Sequence, residues 1–133
     1  MLFDLWNLNQ NSNTMETKEI ANRLASYCRK GDWDGAQKEL YADNAKSIEP
    51  YATPAFSKET VGLKAILEKG KKFDNMVEQV HGIDVSDPLV AGNTIAFTMA
   101  MDVTMKNQPR MTTPELCVYQ VKDGKIVSEE FFV

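Results

Sequence analysis

The chain is poor in the residues from which metal and redox sites are built. It has one histidine, His81, and two cysteines, Cys28 and Cys117, among 133 residues. One histidine excludes any site that needs several from the same chain. The cysteines are far apart and in no metal-like spacing, so buried free thiols are expected rather than a disulfide. An excess of positive charge is missing too: 15 Lys and Arg stand against 19 Asp and Glu, a net charge of −4. Nucleic acid needs a clustered basic surface and is therefore not an expected partner. The densest basic run, Lys69, Lys71 and Lys72, reads as a solvated helix face. No apolar run approaches the roughly 18 residues of a membrane span, so no membrane partner is expected. The first residues lack a basic start and carry Asp4, which makes a poor secretory signal. No phosphate loop, dinucleotide fingerprint or nucleophile motif is present. A cytoplasmic protein without a metal or other cofactor is the expectation.

What is present is ordinary for a globular domain: 43% hydrophobic and 26% charged residues. The length fits one domain with a real core. Residues 1–14 open apolar and end in the polar run Asn9 to Thr14; they read as an extension ahead of a domain at 15–133. Residues 17–30 have helical spacing, with Ile20, Leu24, Tyr27 and Cys28 on one face. Thr17 is the expected N-cap, and Gly31 the left-handed stop. Asp32 then caps a second helix, whose stripe is Trp33, Ala36, Leu40 and Tyr41. Ala45 to Glu49 reads as a short strand closed by Pro50, and 51–57 as a loop. A third helix is expected to begin between Ser57 and Gly62 and to run to about Phe73, with Leu63, Ile66, Leu67 and Phe73 inward.

From Met76 the period changes to two. Val77, Gln79, His81, Ile83 and Val85 share one face by alternation. The clearest strand follows Ala91-Gly92-Asn93, with Ile95, Phe97, Met99, Met101, Val103 and Met105 on one side. Its other side, Thr94, Ala96, Thr98, Ala100, Asp102 and Thr104, is small and mildly polar. Met111 to Val121 is a further strand, Lys122 to Lys125 a hairpin turn, and Ile126 to Val133 the last strand. Helices followed by an antiparallel meander indicate an α+β fold with helices on one face of the sheet. The mild outer face, with Asp102 on it, points to cover by a second copy, so a homodimer is expected.

Several segments, taken in order, resemble the SnoaL-like proteins of the nuclear-transport-factor-2-like (cystatin-like fold) superfamily. They are Gly31-Asp32-Trp33, Leu40-Tyr41-Ala42-Asp43-Asn44-Ala45, Val61-Gly62-Leu63-Lys64-Ala65-Ile66 and Val121-Lys122-Asp123-Gly124-Lys125-Ile126-Val127. Ser47-Ile48-Glu49-Pro50 and Val85 to Asn93 are similar to an uncharacterised bacterial subfamily. The resemblance implies three N-terminal helices in the concave face of a curved, mostly antiparallel sheet, a cone-shaped barrel with an apolar pocket, usually dimeric. That superfamily hosts isomerases, cyclases, dehydratases and binders without activity, so fold does not settle function. Glu49, an acid before proline, occupies the place of the general base of ketosteroid isomerase. The rest of that enzyme's set is not matched: Tyr27 lies about a turn too late, and the second aspartate falls near Cys117. SnoaL cyclases carry an aspartate on the last strand, where this chain has Phe131, preceded by Glu129 and Glu130.

The candidate catalytic residues are therefore Glu49, His81 and Glu115. Glu49 in a pocket would shuttle a proton; at the rim it would be an ordinary solvated carboxylate. His81 is the one side chain that ordinarily titrates near neutrality, and a lone histidine on an apolar face is also a common core residue. Glu115 shares a face with Cys117 and Tyr119, opposite Leu116, Val118 and Gln120, and either face could be the inner one. A buried Glu115 needs a partner, which His81 or Tyr27 could supply. Tyr27, Tyr51, Met99, Met101, Cys117 and Tyr119 are the candidate ligand-binding residues, methionine being adaptable to irregular apolar shapes. The readings in play are a binder of a small apolar molecule, an isomerase, cyclase or dehydratase that moves protons on an apolar carbonyl compound, and a dimeric interaction module.

Overall fold

The computed structural model describes residues 15–133, so the expected extension at 1–14 lies outside the described residues. Helix α1 (Thr17–Lys30) buries Ile20, Ala21, Leu24, Ala25 and Cys28 along one stripe. It stops where expected: Gly31 adopts φ 70, and its N–H donates to the carbonyl of Cys28. A Cβ at Gly31 would stand 3.0 Å from Cδ1 of Ile83, so the turn also lets the helix end seat against the sheet. The N-cap is Glu16, with no side-chain hydrogen bond, and Thr17 is the first helical residue. Asp32 does cap helix α2 (Trp33–Leu40), its Oδ1 accepting from the Gly35 N–H at 2.9 Å.

Tyr41 departs from the helical stripe assigned to it. Strand β1 (Tyr41–Ile48) begins directly after Leu40, and Tyr41, Ala45 and Ser47 are buried. Strand β2 (Glu59–Val61) is too short to be read from periodicity and pairs antiparallel with β1. Helix α3 (Leu63–Met76) runs three residues beyond the expected end. Five further strands follow: β3 (Val77–Val85), β4 (Leu89–Ala91), β5 (Thr94–Met105), β6 (Met111–Lys122) and β7 (Lys125–Phe132).

The fold is α+β: among the described residues three helices lie against one curved, mostly antiparallel sheet that does not close into a barrel. Strand order is β2-β1-β7-β6-β5-β3, and β4 adds to β5 outside this path. β1 and β7 pair in parallel, the last strand running beside the first. The alternation read for β5 holds: Ile95, Phe97, Met99 and Val103 are buried on the helix side. Register then fixes β6, because Met99 lies opposite Glu115, Phe97 opposite Cys117 and Ile95 opposite Tyr119. The face of β6 left open by the sequence is therefore settled, with Glu115, Cys117 and Tyr119 inward. Burying aliphatic side chains such as Ile20, Leu24, Leu40 and Ile66 contributes about 1.5–3 kcal/mol each, and these four join helices to sheet in one core. Among the described residues no helix is long and apolar enough to cross a membrane.

Candidate functional site

The core does not fill the space between helices and sheet. A cavity of about 350 Å³ remains, bounded by Leu24 and Cys28 of α1, Trp33 and Ala36 of α2, Ile66 and Phe73 of α3, and Met99, Met101, Tyr119 and Phe131 of the sheet. This wall is apolar and rich in aromatic rings. Tyr119 stacks on Phe97 at 5.3 Å and meets Phe131 edge-on at 6.5 Å, which fixes its ring. Tyr51, Thr53 and Phe56 of the loop after β1 form part of the boundary, with Tyr51 largely exposed.

One part of the wall is charged. Ala45 and Ser47 of β1 are buried, and continuing that alternation past the strand's end brings Glu49 to the cavity. On α3, Lys69 lies three residues after Ile66 and four before Phe73, so helical spacing aims it inward as well. Its Nζ is 2.7 Å from Oε1 of Glu49 and donates to Oγ of Ser47 at 2.8 Å. Ser47 donates in turn to Oε2 of Glu129 at 2.6 Å, and the Tyr41 hydroxyl donates to Oε1 of the same carboxylate. Glu129 is only 5% exposed, yet both of its oxygens have partners. Among the described residues no buried side-chain nitrogen or oxygen lacks a hydrogen bond. This is the condition under which a charged group is tolerated in a core.

Protonation follows from these surroundings. Burial, then the Glu129 charge, holds the Tyr41 hydroxyl well above its ordinary range, so it stays a donor. Burial also raises the Glu129 carboxyl, opposed by the hydroxyls of Ser47 and Tyr41 and by Lys69. The two hydroxyls donate directly to its oxygens, whereas Lys69 acts from beyond Ser47. Glu115 differs. Among the described residues its one side-chain hydrogen-bond contact is with Sγ of Cys117 at 4.0 Å. Burial pushes its carboxyl up to about 7, and the charges of Glu49 and Glu129 push the same way. It is a half-buried acid on an apolar cavity wall, free to give or take a proton near neutrality.

Of the candidate residues, Glu49, Glu115, Tyr51, Met99, Met101 and Tyr119 border the cavity. Three do not. His81 bonds through Nε2 to Oγ1 of Thr104 at 2.7 Å, beside outward-facing Asp102. The register slips between Val80 and Gly82, so the alternation that carries Ile83 and Val85 inward breaks at His81. Glu115 is thus not coupled to His81. Tyr27 turns away as well, its hydroxyl donating to Oε1 of Glu39 at 2.8 Å, where Arg23 also binds. Cys117 is fully buried in the core beneath the cavity wall. Both cysteines are free, as expected.

Sequence reasoning missed Lys69, Ser47, Tyr41 and the use of Glu129. Lys69 is an inward residue rather than part of a solvated face; its side chain is 18% exposed. The signal was its place in the Ile66–Phe73 stripe. Glu129 shares its inward face with Phe131 on the last strand. Among the described residues no group of three or more His, Cys, Asp or Glu side chains is arranged to hold a metal ion.

The domain has relatives among solved structures. A Mesorhizobium loti protein, provisionally described as a SnoaL-like polyketide cyclase, is 32% identical, with 90% of this chain and 100% of that chain covered and a TM-score of 0.82. A Xanthomonas campestris protein of unknown function with a cystatin-like fold is 19% identical, with 89% and 90% covered and a TM-score of 0.76. A Bacillus subtilis protein, provisionally described as an isomerase, is 21% identical, with 88% of each chain covered and a TM-score of 0.68. The last two attest the fold alone. No curated protein matches the chain. The family described as the SnoaL-like domain matches residues 15–133, which takes in all the helices, strands and cavity-lining residues named above; the chain belongs to that family.

Proposed function

We propose that the protein binds a small, mostly apolar molecule in the cavity and exchanges a proton with it through Glu115. The observation that carries this reading is the position of Glu115. It is an acid without a strong partner among the described residues, on the wall of a cavity of about 350 Å³, within the size range of small-molecule sites. The neighbouring carboxylates are committed: Glu49 to Lys69, Glu129 to Tyr41 and Ser47. Glu115 alone is left to act on a ligand as general acid or base. The provisional description of the Mesorhizobium loti relative as a polyketide cyclase supports action on a small molecule. Two buried free thiols accord with a reducing, cytoplasmic setting.

Gly70 supplies the test. It borders the cavity, and a Cβ there would meet no atom within 4 Å, so a large side chain has room to enter the hollow. Mass spectrometry of denatured, mildly purified protein is expected to find a small molecule in the wild type that is missing from folded Gly70→Trp. The same blank, or the same species, in both proteins counts against the binding reading.

We also infer a homodimer through the outer face of β5, β6 and β7. Ala96, Thr98 and Ala100 flank Leu116 and Val118, and Leu116 and Phe132 are 41% and 45% exposed. A contiguous mild or apolar sheet face of this kind suits cover by a second copy. Sedimentation velocity is expected to give twice the chain mass, falling to one chain in Leu116→Arg; a one-chain mass for the wild type overturns the dimer.

A further inference from the structure

The charged part of the cavity wall has a consequence for the ligand's own charge. Glu49, Glu115 and Glu129 border the cavity, and Lys69 is the one basic side chain on its wall among the described residues. Lys69 is already engaged, by Glu49 at 2.7 Å and by Ser47 at 2.8 Å. Three carboxyl groups thus stand against one ammonium, and the wall is acidic on balance. In an apolar hollow such an excess is poorly screened and repels an anionic ligand. The remaining wall includes Trp33, Tyr51, Phe73, Tyr119 and Phe131, aromatic rings whose π faces attract a cation.

We propose that the ligand of this cavity carries a basic nitrogen, held as an ammonium against the Glu115 carboxylate and the aromatic wall. This rests on the ligand-binding reading above and narrows it to apolar amines. The proton exchange then balances simply. A neutral amine that meets protonated Glu115 takes its proton; the O–H bond breaks, the N–H bond forms, and a carboxylate and an ammonium remain. An amine that arrives protonated needs Glu115 ionised, so it displaces that proton to solvent.

The groups facing Glu115 are Glu49 after β1, Lys69 on α3, Cys28 on α1, Cys117 beside it on β6 and Glu129 on β7. Burial keeps both thiols protonated, and Glu49, Lys69 and Glu129 are held in bonded pairs. Glu115, raised to about 7, is a group whose charge changes near neutrality.

The test uses three probes of similar shape: a naphthyl-ethylamine, the matching acetylnaphthalene and naphthoate, titrated calorimetrically into the whole protein. The amine is expected to bind about tenfold or more tighter than the ketone at pH 8, as a charge-assisted contact would give. Its affinity is expected to climb about tenfold from pH 6 to pH 8 as Glu115 ionises, while the ketone's does not climb. Glu115→Gln should bring the amine down to the ketone's level and flatten the pH dependence. A ketone as tight as the amine, or naphthoate tightest, overturns the amine proposal and leaves the binding reading standing. No binding of any probe to the folded wild type takes down both. Should Glu115→Gln fail to fold, the wild-type pH dependence decides: a flat amine profile between pH 6 and pH 8 overturns the proposal.

Discussion

On the inner face of the sheet, Glu115 stands on an apolar wall without a cation bonded to it; on the outer face, Asp102 meets Arg110 through a two-pronged contact at 2.9 and 2.7 Å. The two carboxylates lie on adjacent strands, and the sheet separates their surroundings. Burial and like charge push Glu115 up to about 7, whereas the Arg110 hydrogen bonds hold Asp102 below the ordinary carboxylate range. His81 stands on the Asp102 side, bonded to Thr104. Residue type alone ranked His81 and Glu115 together as candidates for proton transfer. What separates them is which side of one sheet each occupies, and so whether water or hydrocarbon surrounds it.

Removing the carboxylate that the inner network is built around should have the largest effect. Glu129→Ala strips the buried Tyr41 hydroxyl and Ser47 of their acceptor, while Lys69 keeps its contacts with Glu49 and Ser47. Stranding buried donors and enlarging the hollow should cost about 2–4 kcal/mol in urea unfolding at neutral pH. A loss as small as that of an exposed carboxylate would mean that the network is not a structural unit.

Glu115 sharpens the comparison through pH. Its folded value of about 7 lies above the ordinary 4.5, so between these values the folded chain keeps a proton that the unfolded chain releases. Stability should therefore fall as pH rises across that window and then level off. With allowance for partial exposure, the penalty is on the order of 1–2 kcal/mol. Glu115→Gln should remove it, matching the wild type near pH 4.5 and exceeding it at pH 8. A wild type and variant with parallel stability profiles would show that Glu115 titrates as if in water.

Much of the fold was legible because its signals are local. The turn at Gly31, the cap at Asp32 and the strict alternation of β5 each follow from a few adjacent residues. The site was legible only in part. Glu49 and Glu115 reach the cavity, but Lys69 was hidden by its basic neighbours, although Ile66 and Phe73 bracket it at helical spacing. The Tyr41–Glu129 pairing joins residues 88 positions apart through the parallel β1–β7 contact, which no local pattern announces. His81 was misread because alternation assumes an unbroken ladder, and the register slip beside Gly82 breaks it.

The outer cluster supplies the smallest expected effect and the control for the whole contrast. Asp102→Asn should lower thermal stability slightly, because the Arg110 contact is exposed and solvent competes for both partners. That loss should shrink in molar salt, which screens surface charge over about 3 Å. It should also disappear as pH falls through the lowered Asp102 value, since protonation removes the same contact in the wild type. The slope is opposite to that of Glu115: stability here is gained, not lost, as the carboxylate ionises. His81→Gln is expected to leave both the Glu115 stability profile and probe binding unchanged, since its contacts lie on the far side of the sheet. If either outer substitution moved the Glu115 profile, charge would be passing through the sheet, and the two faces could no longer be treated as separate electrostatic compartments.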